Sequence, residues 1–205
     1  LLSENFLSNG IQGGMVPVAA GYALINKLEK INSATIVFIG DGTLGEGILY
    51  EALNMISKWE LPLLIVIENN SYAQSTKTST VISGNIKNRA LAFDIKYDEA
   101  DTWNWEKLLS QFESSINYVR DNSSPVILEI NTYRLNAHSK GDDNRSKREI
   151  EDHNSLDPLN IILDKNLDFI TKEEKTIDNR LNNAVKKALF DNDCKYNPPK
   201  INQLK

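Results

Sequence analysis

The segment IVFIGDGTLGEGILYEALNMI, from Ile36 to Ile56, contains the change of pattern that decides the fold class. It opens with a β-branched apolar run, which predicts a strand buried on both faces. Gly-Asp-Gly at 40–42 ends this run, and apolar residues then recur at helical spacing. The residues on this helical stripe are Leu49, Ala52, Leu53 and Ile56. In an open parallel sheet, ligands collect beyond the carboxyl ends of the strands, which is where this acid between two glycines lies.

The alternation of strand and helix patterns continues on both sides of this segment. It predicts strands at 34–40, 61–70, 90–98 and 124–134, and helices at 16–30, 44–59 and 102–121. The apolar stripe of the last helix comprises Trp105, Leu108, Leu109, Phe112 and Ile116. Because helices separate the strands and no tight hairpin is indicated, parallel pairing through right-handed crossovers is expected. The predicted fold is an α/β three-layer sandwich with a mostly parallel sheet, followed by C-terminal helices.

The pattern changes after Arg145, which predicts two parts: an α/β domain at 1–145 and a helical extension with a tail at 146–205. One helix is expected to have Asp157 as its N-cap and Pro158 in its first turn. The next is expected to open with a capping box made by Thr171 and Glu174. Its apolar stripe comprises Ile177, Leu181, Val185 and Leu189. The polar residues 191–205 are expected to form a loosely held exit or a linker.

Composition excludes several classes of function. A net charge of −5 argues against a general nucleic-acid surface, and the longest apolar run, 61–67, is too short to cross a bilayer. Cys194 is the single cysteine, so a reducing cytoplasmic setting, or a mitochondrial matrix in a eukaryote, fits best. The N-terminus lacks a secretory signal pattern, and the chain starts without Met, as a fragment would.

Polar residues follow two of the predicted buried strands at their carboxyl ends. Gly40-Asp41-Gly42 follows one strand, and Asn69-Asn70 follows the next. Ligands collect at this edge of a parallel sheet, and carboxylate and amide oxygens suit Mg²⁺. The helix that starts near Leu44 directs free N–H groups to the same place, which suits a phosphate. Each pattern by itself is also ordinary turn chemistry, so the prediction of a magnesium–diphosphate site depends on their combination.

The sequence segments around these residues resemble those of a known family. GDG, 26 residues and NN form the thiamine diphosphate signature, and GIQGGMVPVAAGYA and LEINTYRLNAHSKGDD flank it. Together they resemble the α subunit of the 2-oxoacid dehydrogenase E1 component, of the pyruvate, branched-chain and acetoin dehydrogenase type. The resemblance covers residues 4 to about 165. It implies the thiamine diphosphate-binding (PP-type) fold, with thiamine diphosphate and Mg²⁺ as cofactors.

The resemblance also implies roles for individual residues. Asp41, Asn70 and the carbonyl of Tyr72 would bind Mg²⁺, and backbone N–H groups of the glycine-rich turn would contact the diphosphate. These N–H groups belong to Gly42 and Thr43, and Gly40 opens the turn as a further cofactor-binding residue. Gly10 and Gln12 would meet the aminopyrimidine through main-chain atoms. Gln12 replaces an apolar residue of the family, so its side chain has either an additional role or none.

A second group of implied roles lies in the loop that follows the last strand. His138, as the catalytic residue of this chain, would lie near the diphosphate and the reacting carbon. Ser139 occupies a position that is phosphorylated in mitochondrial relatives, and the sequence does not show whether it is modified here. The loop from Asn136 to about Arg145 is expected to become ordered through the ligand.

Several other residues have simpler expected roles. His153 is expected to be a solvated loop residue, and Glu46 and Glu51 are expected to be ordinary helix-surface or interface carboxylates. Asp142, Asp143 and Arg145 form either a solvated charge run or salt links that close the loop. Trp59, Trp103 and Trp105 are expected to be packing or interface residues.

The resemblance implies that this chain holds only half of a site. The carboxylate that activates the cofactor would come from an E1 β subunit or domain in an α2β2 assembly. A lipoyl-bearing E2 acyltransferase would accept the acyl group, and a 2-oxoacid would be the substrate. The alternatives are a transketolase-like enzyme and a non-catalytic scaffold that keeps the fold. The segment GGMVPVAAGYALI, 13–25, is either a helix packed on the partner or a plain core helix.

Overall fold

The computed structural model describes residues 6–165 and 167–190. Its β-strands are β1 (Thr35–Gly40), β2 (Leu63–Asn69), β3 (Tyr72–Ala73), β4 (Thr76–Lys77), β5 (Lys96–Asp101) and β6 (Val126–Asn131). Its α-helices are α1 (Gln12–Leu28), α2 (Gly47–Lys58), α3 (Ile86–Ala92), α4 (Trp105–Asn122), α5 (Lys147–Asn154), α6 (Pro158–Lys165) and α7 (Leu167–Phe190). Short 3₁₀ helices occupy Asp41–Gly45 and Thr78–Thr80. The predicted tail and Cys194 lie outside the described residues.

A parallel sheet with the strand order β1-β2-β6-β5 forms the centre of the described α/β unit. The chain moves from β1 through β2 to β5 in one direction and then returns to β6. Crossovers between parallel strands are almost always right-handed, so the reversal is expected to place the connecting helices on opposite faces of the sheet, as the two cores show. The predicted α/β fold with a parallel sheet and packed helices is therefore confirmed.

Two apolar cores lie on the two faces of this sheet. Residues of α1, α2 and α3 pack with Val37, Ile39, Ile65 and Ile67 on one face. Residues of α4 pack with Leu64, Val66, Val126 and Leu128 on the other face. The alternation of these residues along each strand follows from the period of two in β-structure. The resulting three layers are helix, sheet and helix.

The sheet face opposite α1 and α2 leaves part of β1 uncovered. Ile36 and Phe38 are 37% and 55% exposed, although Phe38 stacks against Phe112 of α4 with ring centroids 6.3 Å apart. The prediction that β1 is buried on both faces is therefore wrong for these two side chains. The physical reason is that β1 lies at the edge of the described sheet, beyond most of α4.

Several predicted boundaries are also wrong. The predicted strand at 90–98 begins as the end of α3, whose N-cap Asn85 accepts a hydrogen bond from the N–H of Asn88 at 2.7 Å. A two-stranded hairpin, β3–β4, occurs where no hairpin was expected. Helix α1 begins at Gln12 and includes Pro17, whereas the pattern predicted a start at residue 16.

The helical stripes differ from their predictions in two places. On α4, Leu109 is 61% exposed and Trp105 is 43% exposed, whereas Leu108, Phe112 and Ile116 pack on the core. Helix α7 begins at Leu167, so Thr171 lies inside it and not at its N-terminus as predicted. Helix α6 begins at Pro158, as predicted.

The described chain divides into two compact units, with the boundary after Pro158. Helix α5, which the sequence did not predict, belongs to the same unit as the sheet. Its N-cap Ser146 accepts a hydrogen bond from the N–H of Glu149 at 3.1 Å. In the second unit, the stripe of α7 is exposed; its members are Ile177, Leu181, Val185 and Leu189. Among the described residues, every helix is too short or too polar to cross a membrane.

Replacing Ile56 with Ala should lower the free energy of unfolding by about 2–5 kcal/mol, because the side chain is fully buried between α2 and the sheet. Met55, the preceding residue, is 42% exposed. Met55→Ala is the matched control and should change stability by less than about 0.5 kcal/mol. Chemical denaturation followed by circular dichroism measures both. Equal effects of the two substitutions would contradict the assigned register of α2.

Candidate functional site

The carboxyl ends of β1, β2 and β6 lie side by side. Gly40 pairs with Glu68, and Asn69 pairs with Asn131. The loops that leave these three strands therefore begin at the same edge of the sheet. Asp41, directly after β1, is placed level with the turn that carries Asn70.

A cavity of about 760 Å³ lies beyond these strand ends. Asp41, Asn70 and Tyr72, the three predicted metal ligands, all border it. Other lining residues include Thr78, Tyr97, Glu99, Trp103, Glu129, Tyr133, Glu149 and His153. The structure thus brings the predicted ligands, which come from two strand ends, around one space.

Asp41 is 1% exposed, and its Oδ2 accepts a hydrogen bond from the hydroxyl of Thr78. A buried carboxylate needs such a partner, because an unpaired charge away from water is costly. Thr78 begins the 3₁₀ helix after β4 and was not predicted as a site residue. Its contact spans 37 residues of sequence, so no local pattern indicated it.

The turn after β2 is fixed by the two asparagines of the signature. The side-chain oxygen of Asn69 accepts from the N–H of Ser71 at 3.1 Å, and that of Asn70 accepts from the N–H of Tyr72 at 2.9 Å. Ser71 has a φ of 64°, which is left-handed backbone for a non-glycine residue. The amide oxygen of Asn70 keeps a second lone pair for another ligand.

Gly42 lies against the hairpin. A Cβ added at Gly42 would lie 2.9 Å from the Cβ and 3.3 Å from the Cα of Ala73. Any larger residue at position 42 would therefore push apart the Asp41 turn and strand β3. The glycine at this position is explained by close packing of two backbone segments.

Gln12 contacts the same turn from the first residue of α1. Its Oε1 accepts hydrogen bonds from the N–H of Gly40 at 2.7 Å and from the hydroxyl of Thr43 at 3.0 Å. Thr43 is 3% exposed, whereas Gly10 is exposed and has no atom within 4 Å of an added Cβ. Of the two predicted aminopyrimidine contacts, Gln12 is hydrogen-bonded to the Asp41 turn through its side chain.

Glu46 also connects this turn with α1. Its Oε1 accepts a hydrogen bond from the N–H of Gly13 at 3.3 Å, and a Cβ on Gly13 would lie 2.1 Å from its Oε2. Glu46 therefore caps the N-terminus of α1 from another segment, where the helix dipole favours a negative charge. The expectation of an ordinary surface or interface carboxylate is wrong for this residue.

Glu149 of α5 holds two tyrosines at the cavity. Its Oε1 accepts from the hydroxyl of Tyr72 at 2.9 Å and from that of Tyr133 at 3.2 Å. Burial, followed by the hydrogen bond to Glu149 and its negative charge, raises the pKa of Tyr72 to about 12. Both phenols are consequently neutral hydrogen-bond donors at neutral pH.

His153, expected to be solvated, instead packs in the cavity wall. Its ring stacks on Tyr133 with centroids 3.7 Å apart, and its Nδ1 lies 2.8 Å from the carbonyl oxygen of Glu149. Trp103 is a packing residue here, with its ring centroid 6.4 Å from that of His153. Helix α5, which carries His153, was missed because its sequence is highly charged.

Glu129 on β6 is, after Asp41, a second buried carboxylate that borders the cavity, and it is 8% exposed. The hydroxyl of Tyr97 donates to its Oε2 at 2.6 Å, and the side-chain amide of Asn69 donates to its Oε1 at 2.7 Å. Burial is the largest cause that raises the pKa of Tyr97, and the hydrogen bond to Glu129 is the next. This network joins β5, β6 and β2 beneath the site.

The loop after β6 is held by Arg145. Its guanidinium bonds the carboxylate of Asp143, with Nη2 to Oδ2 at 2.6 Å, and donates to the carbonyls of Arg134 and Asn136. Hydrogen bonds from Arg145 lower the pKa of Asp143 to about 2. Of the two readings of this charged segment, the structure supports loop-closing salt links.

His138 lies in this loop and is 51% exposed at its side chain. Its Nδ1 is 3.5 Å from Oδ2 of Asp142, and His138 does not border the cavity that holds Asp41. Hydrogen bonds from the N–H and hydroxyl of Ser139 lower the pKa of Asp142, which stays ionised beside the imidazole. The catalytic role of His138 stays a prediction.

The donor set at Asp41 is compatible with a magnesium ion that shares its shell with phosphate oxygens. In the part of the chain that the structure describes, no group of three or more His, Cys, Asp or Glu side chains could hold a metal. One carboxylate, one amide oxygen and one carbonyl leave positions for other oxygen ligands, which is the usual arrangement for Mg²⁺.

Comparison with known proteins identifies the family. A family model described as dehydrogenase E1 component matches residues 3–200. The chain belongs to the dehydrogenase E1 component family. The resemblance seen in the sequence is therefore confirmed.

Curated relatives of this E1 component chain are named pyruvate dehydrogenase E1 component subunit alpha. The protein from Rickettsia conorii is 35% identical over 187 residues, which cover 88% of this chain and 57% of that protein. The mitochondrial protein from Dictyostelium discoideum is 30% identical over 203 residues, covering 92% of this chain and 53% of that protein. The chain thus spans about half the length of these relatives.

A solved transketolase structure from Campylobacter jejuni shares the fold. It aligns with a TM-score of 0.53 and 19% identity, over 60% of this chain and 20% of that one. This likeness concerns the architecture of the α/β unit alone. It agrees with the predicted α/β fold class.

Replacing Gly42 with Ala should destabilise the protein by about 1–3 kcal/mol, because the new methyl group would overlap Ala73. Thermal and denaturant unfolding measure the change. Gly45→Ala is the matched control, since a Cβ at Gly45 meets no atom within 4 Å.

The double variant Gly42→Ala with Ala73→Gly tests the cause of this loss. Removing the Ala73 methyl group makes room for the new one, so part of the lost stability should return. Additive losses in the double variant would show that the contact with Ala73 is not the cause.

Proposed function

We propose that this chain is the α-subunit part of a thiamine diphosphate-dependent 2-oxoacid dehydrogenase E1. It would take part in oxidative decarboxylation of a 2-oxoacid and transfer of the acyl group to a lipoyl carrier. The observation that carries the proposal is the buried Asp41, at a strand end, bordering one cavity with Asn70 and Tyr72. Membership in the dehydrogenase E1 component family implies thiamine diphosphate.

The magnesium ion would be held by Asp41, the amide oxygen of Asn70 and the carbonyl of Tyr72. Asp41 supplies the negative charge, and its hydrogen bond from Thr78 fixes the orientation of the carboxylate. The hydrogen bond between Asn70 and the N–H of Tyr72 fixes the amide in the same way. Backbone N–H groups at Gly42 and Thr43 would contact the diphosphate, as the start of a helical segment favours an anion.

The cofactor, when bound, supplies a carbanion that adds to a 2-oxoacid and an electron sink for loss of CO₂. The residues of this chain bind and orient that group. His138 does not border the Asp41 cavity in the free chain, so its proposed role as a proton donor or acceptor near the diphosphate requires the loop to bring it there. Gly10 and Gln12 would contact the aminopyrimidine through main-chain atoms.

A partner is expected to complete the site. The relatives are named as α subunits, and this chain matches 57% of the length of the first of them. Helix α1 buries Val16, Ala19, Ala20 and Ala23 in the core and carries a second, partly exposed apolar stripe. The stripe comprises Val18, Tyr22 and Ile25, which are 42%, 46% and 52% exposed.

This exposed stripe supports an interface with an E1 β subunit or domain, in an α2β2 assembly. The buried face of α1 fits the core-helix reading of segment 13–25, and its exposed stripe would be the partner-facing part. The lipoyl-bearing E2 acyltransferase would be the acceptor of the acyl group.

Replacing Asp41 with Asn should weaken magnesium-dependent binding of thiamine diphosphate by more than about 100-fold. Loss of a residue that only supports a metal ligand typically lowers metal affinity by about 10–100-fold. Asp41 is the proposed acidic ligand itself, so its replacement should lower the affinity further. Calorimetry on the assembled complex measures the affinity. Asp121→Asn on the exposed side of α4 is the control and should bind like the native protein. Unchanged affinity in Asp41→Asn would refute the metal assignment.

Turnover of a 2-oxoacid should require a partner polypeptide. This chain alone should show none, because general acid–base chemistry on the cofactor needs a carboxylate that the partner supplies. Addition of the cognate β polypeptide and the remaining E1 α sequence should restore decarboxylation, measured with an artificial electron acceptor. Turnover by this chain alone would refute the divided site, and none in the complete assembly would favour a non-catalytic scaffold.

A further inference from the structure

The turn that carries Asp41 is attached to α1 by one side chain. Gln12 Oε1 lies 2.7 Å from the nitrogen of Gly40 and 3.0 Å from Oγ1 of Thr43. These two residues stand on either side of Asp41 and Gly42. One amide oxygen therefore binds the first and last residues of the segment 40–43.

The N–H of Gly40 needs this partner because of its place in the sheet. The N–H of Thr35 donates to Pro62, on the β2 side of β1, at 3.0 Å. Since N–H groups alternate along a strand, the N–H of Gly40 points to the other side. Strand β1 is the edge of the described sheet, so no described strand accepts this hydrogen bond there. Gln12 takes the place of the missing neighbour.

The orientation of the Gln12 amide follows from the same contact. A backbone N–H can only donate, so the atom that faces Gly40 must be the side-chain oxygen. The geometry agrees, since a Cβ on Gly40 would lie 3.2 Å from Oε1 and 4.0 Å from Nε2. An apolar residue at position 12 could accept neither hydrogen bond.

Two further contacts hold the same turn. Thr78 donates to Asp41 from the hairpin side, and Glu46 accepts from the N–H of Gly13, next to Gln12. Gln12 of α1 accepts hydrogen bonds from the Asp41 turn, and Glu46, which follows this turn, accepts one from α1. Two side chains therefore link the start of α1 with the turn. Displacement of α1 would carry the turn with it.

We propose that Gln12 is a positioning residue: its side chain holds the segment 40–43 in the conformation that presents Asp41 and the N–H groups of Gly42 and Thr43 to the cofactor. This inference rests on the proposed function for the cofactor, but the hold on the turn is a property of the free chain.

The test compares Gln12→Met with Gln12→Glu. Methionine has the same length and a similar helix propensity but no amide oxygen. Glutamate keeps an oxygen acceptor at the same place. Hydrogen exchange of the backbone amide of Gly40, measured by NMR on the free chain, should be at least about tenfold faster in Gln12→Met and native-like in Gln12→Glu. Gln111→Met is the control, because Gln111 lies on α4, which packs on the sheet face opposite α1. This substitution should leave the exchange at Gly40 unchanged.

The second measurement is magnesium-dependent thiamine diphosphate affinity in the assembled complex. Gln12→Met should weaken it roughly tenfold, as expected when the support of a metal ligand is lost. Denaturant unfolding of the same variant separates positioning from stability, since the fully buried core does not contain Gln12. Faster exchange with unchanged affinity would show a purely structural bond and overturn the proposal. Native exchange at Gly40 in Gln12→Met would also overturn it.

Failure of the proposed function gives a different result. If the native complex binds no thiamine diphosphate, or if Asp41→Asn binds it normally, the cofactor assignment fails. The exchange comparison at Gly40 then still decides whether Gln12 holds the turn.

Discussion

The parallel pairing of β1 with β2 is the constraint on which the candidate site depends. With Gly40 opposite Glu68, Asp41 leaves the sheet next to the turn formed by Asn69 and Asn70. A slip of one residue would turn Val37 and Ile39 away from α1 and α2, which would expose much of one core. The apolar core therefore fixes the register, and the register places the polar residues.

The return of the chain from β5 to β6 completes this arrangement. It places α4 on the face opposite α1 and α2, so that β2 is covered on both sides and its residues 63–67 are all buried. It also inserts β6 beside β2, which brings Glu129 under Asn69 and directs the Arg145 loop to the same edge. The cavity is therefore bordered by segments that are distant in sequence, among them the ends of β2 and β6.

The carboxylates around the cavity accept hydrogen bonds from neutral hydroxyl groups. Asp41, Glu129 and Glu149 each accept hydrogen bonds from hydroxyl groups, supplied by Thr78, Tyr97, Tyr72 and Tyr133. Such bonds reduce the cost of burying a carboxylate without neutralising it. The raised pKa values of Tyr72 and Tyr97 keep their phenols protonated near neutral pH, so these phenols remain donors to the carboxylates.

The sequence by itself determined the strand and helix pattern of the α/β unit, the family, and the two strand ends where Asp41 and Asn70 lie. These follow from local periodicity and from short words such as GDG and ENN, which a single stretch of chain contains. Only the tertiary structure decided the start of β5, the β3–β4 hairpin, helix α5 and the side-chain contacts of the site. Thr78 reaches Asp41 across 37 residues, Glu46 reaches Gly13 across 33, and Gln12 reaches Gly40 across 28. Periodicity carries no information about such distances, because each contact depends on how strands and helices pack after the local elements have formed.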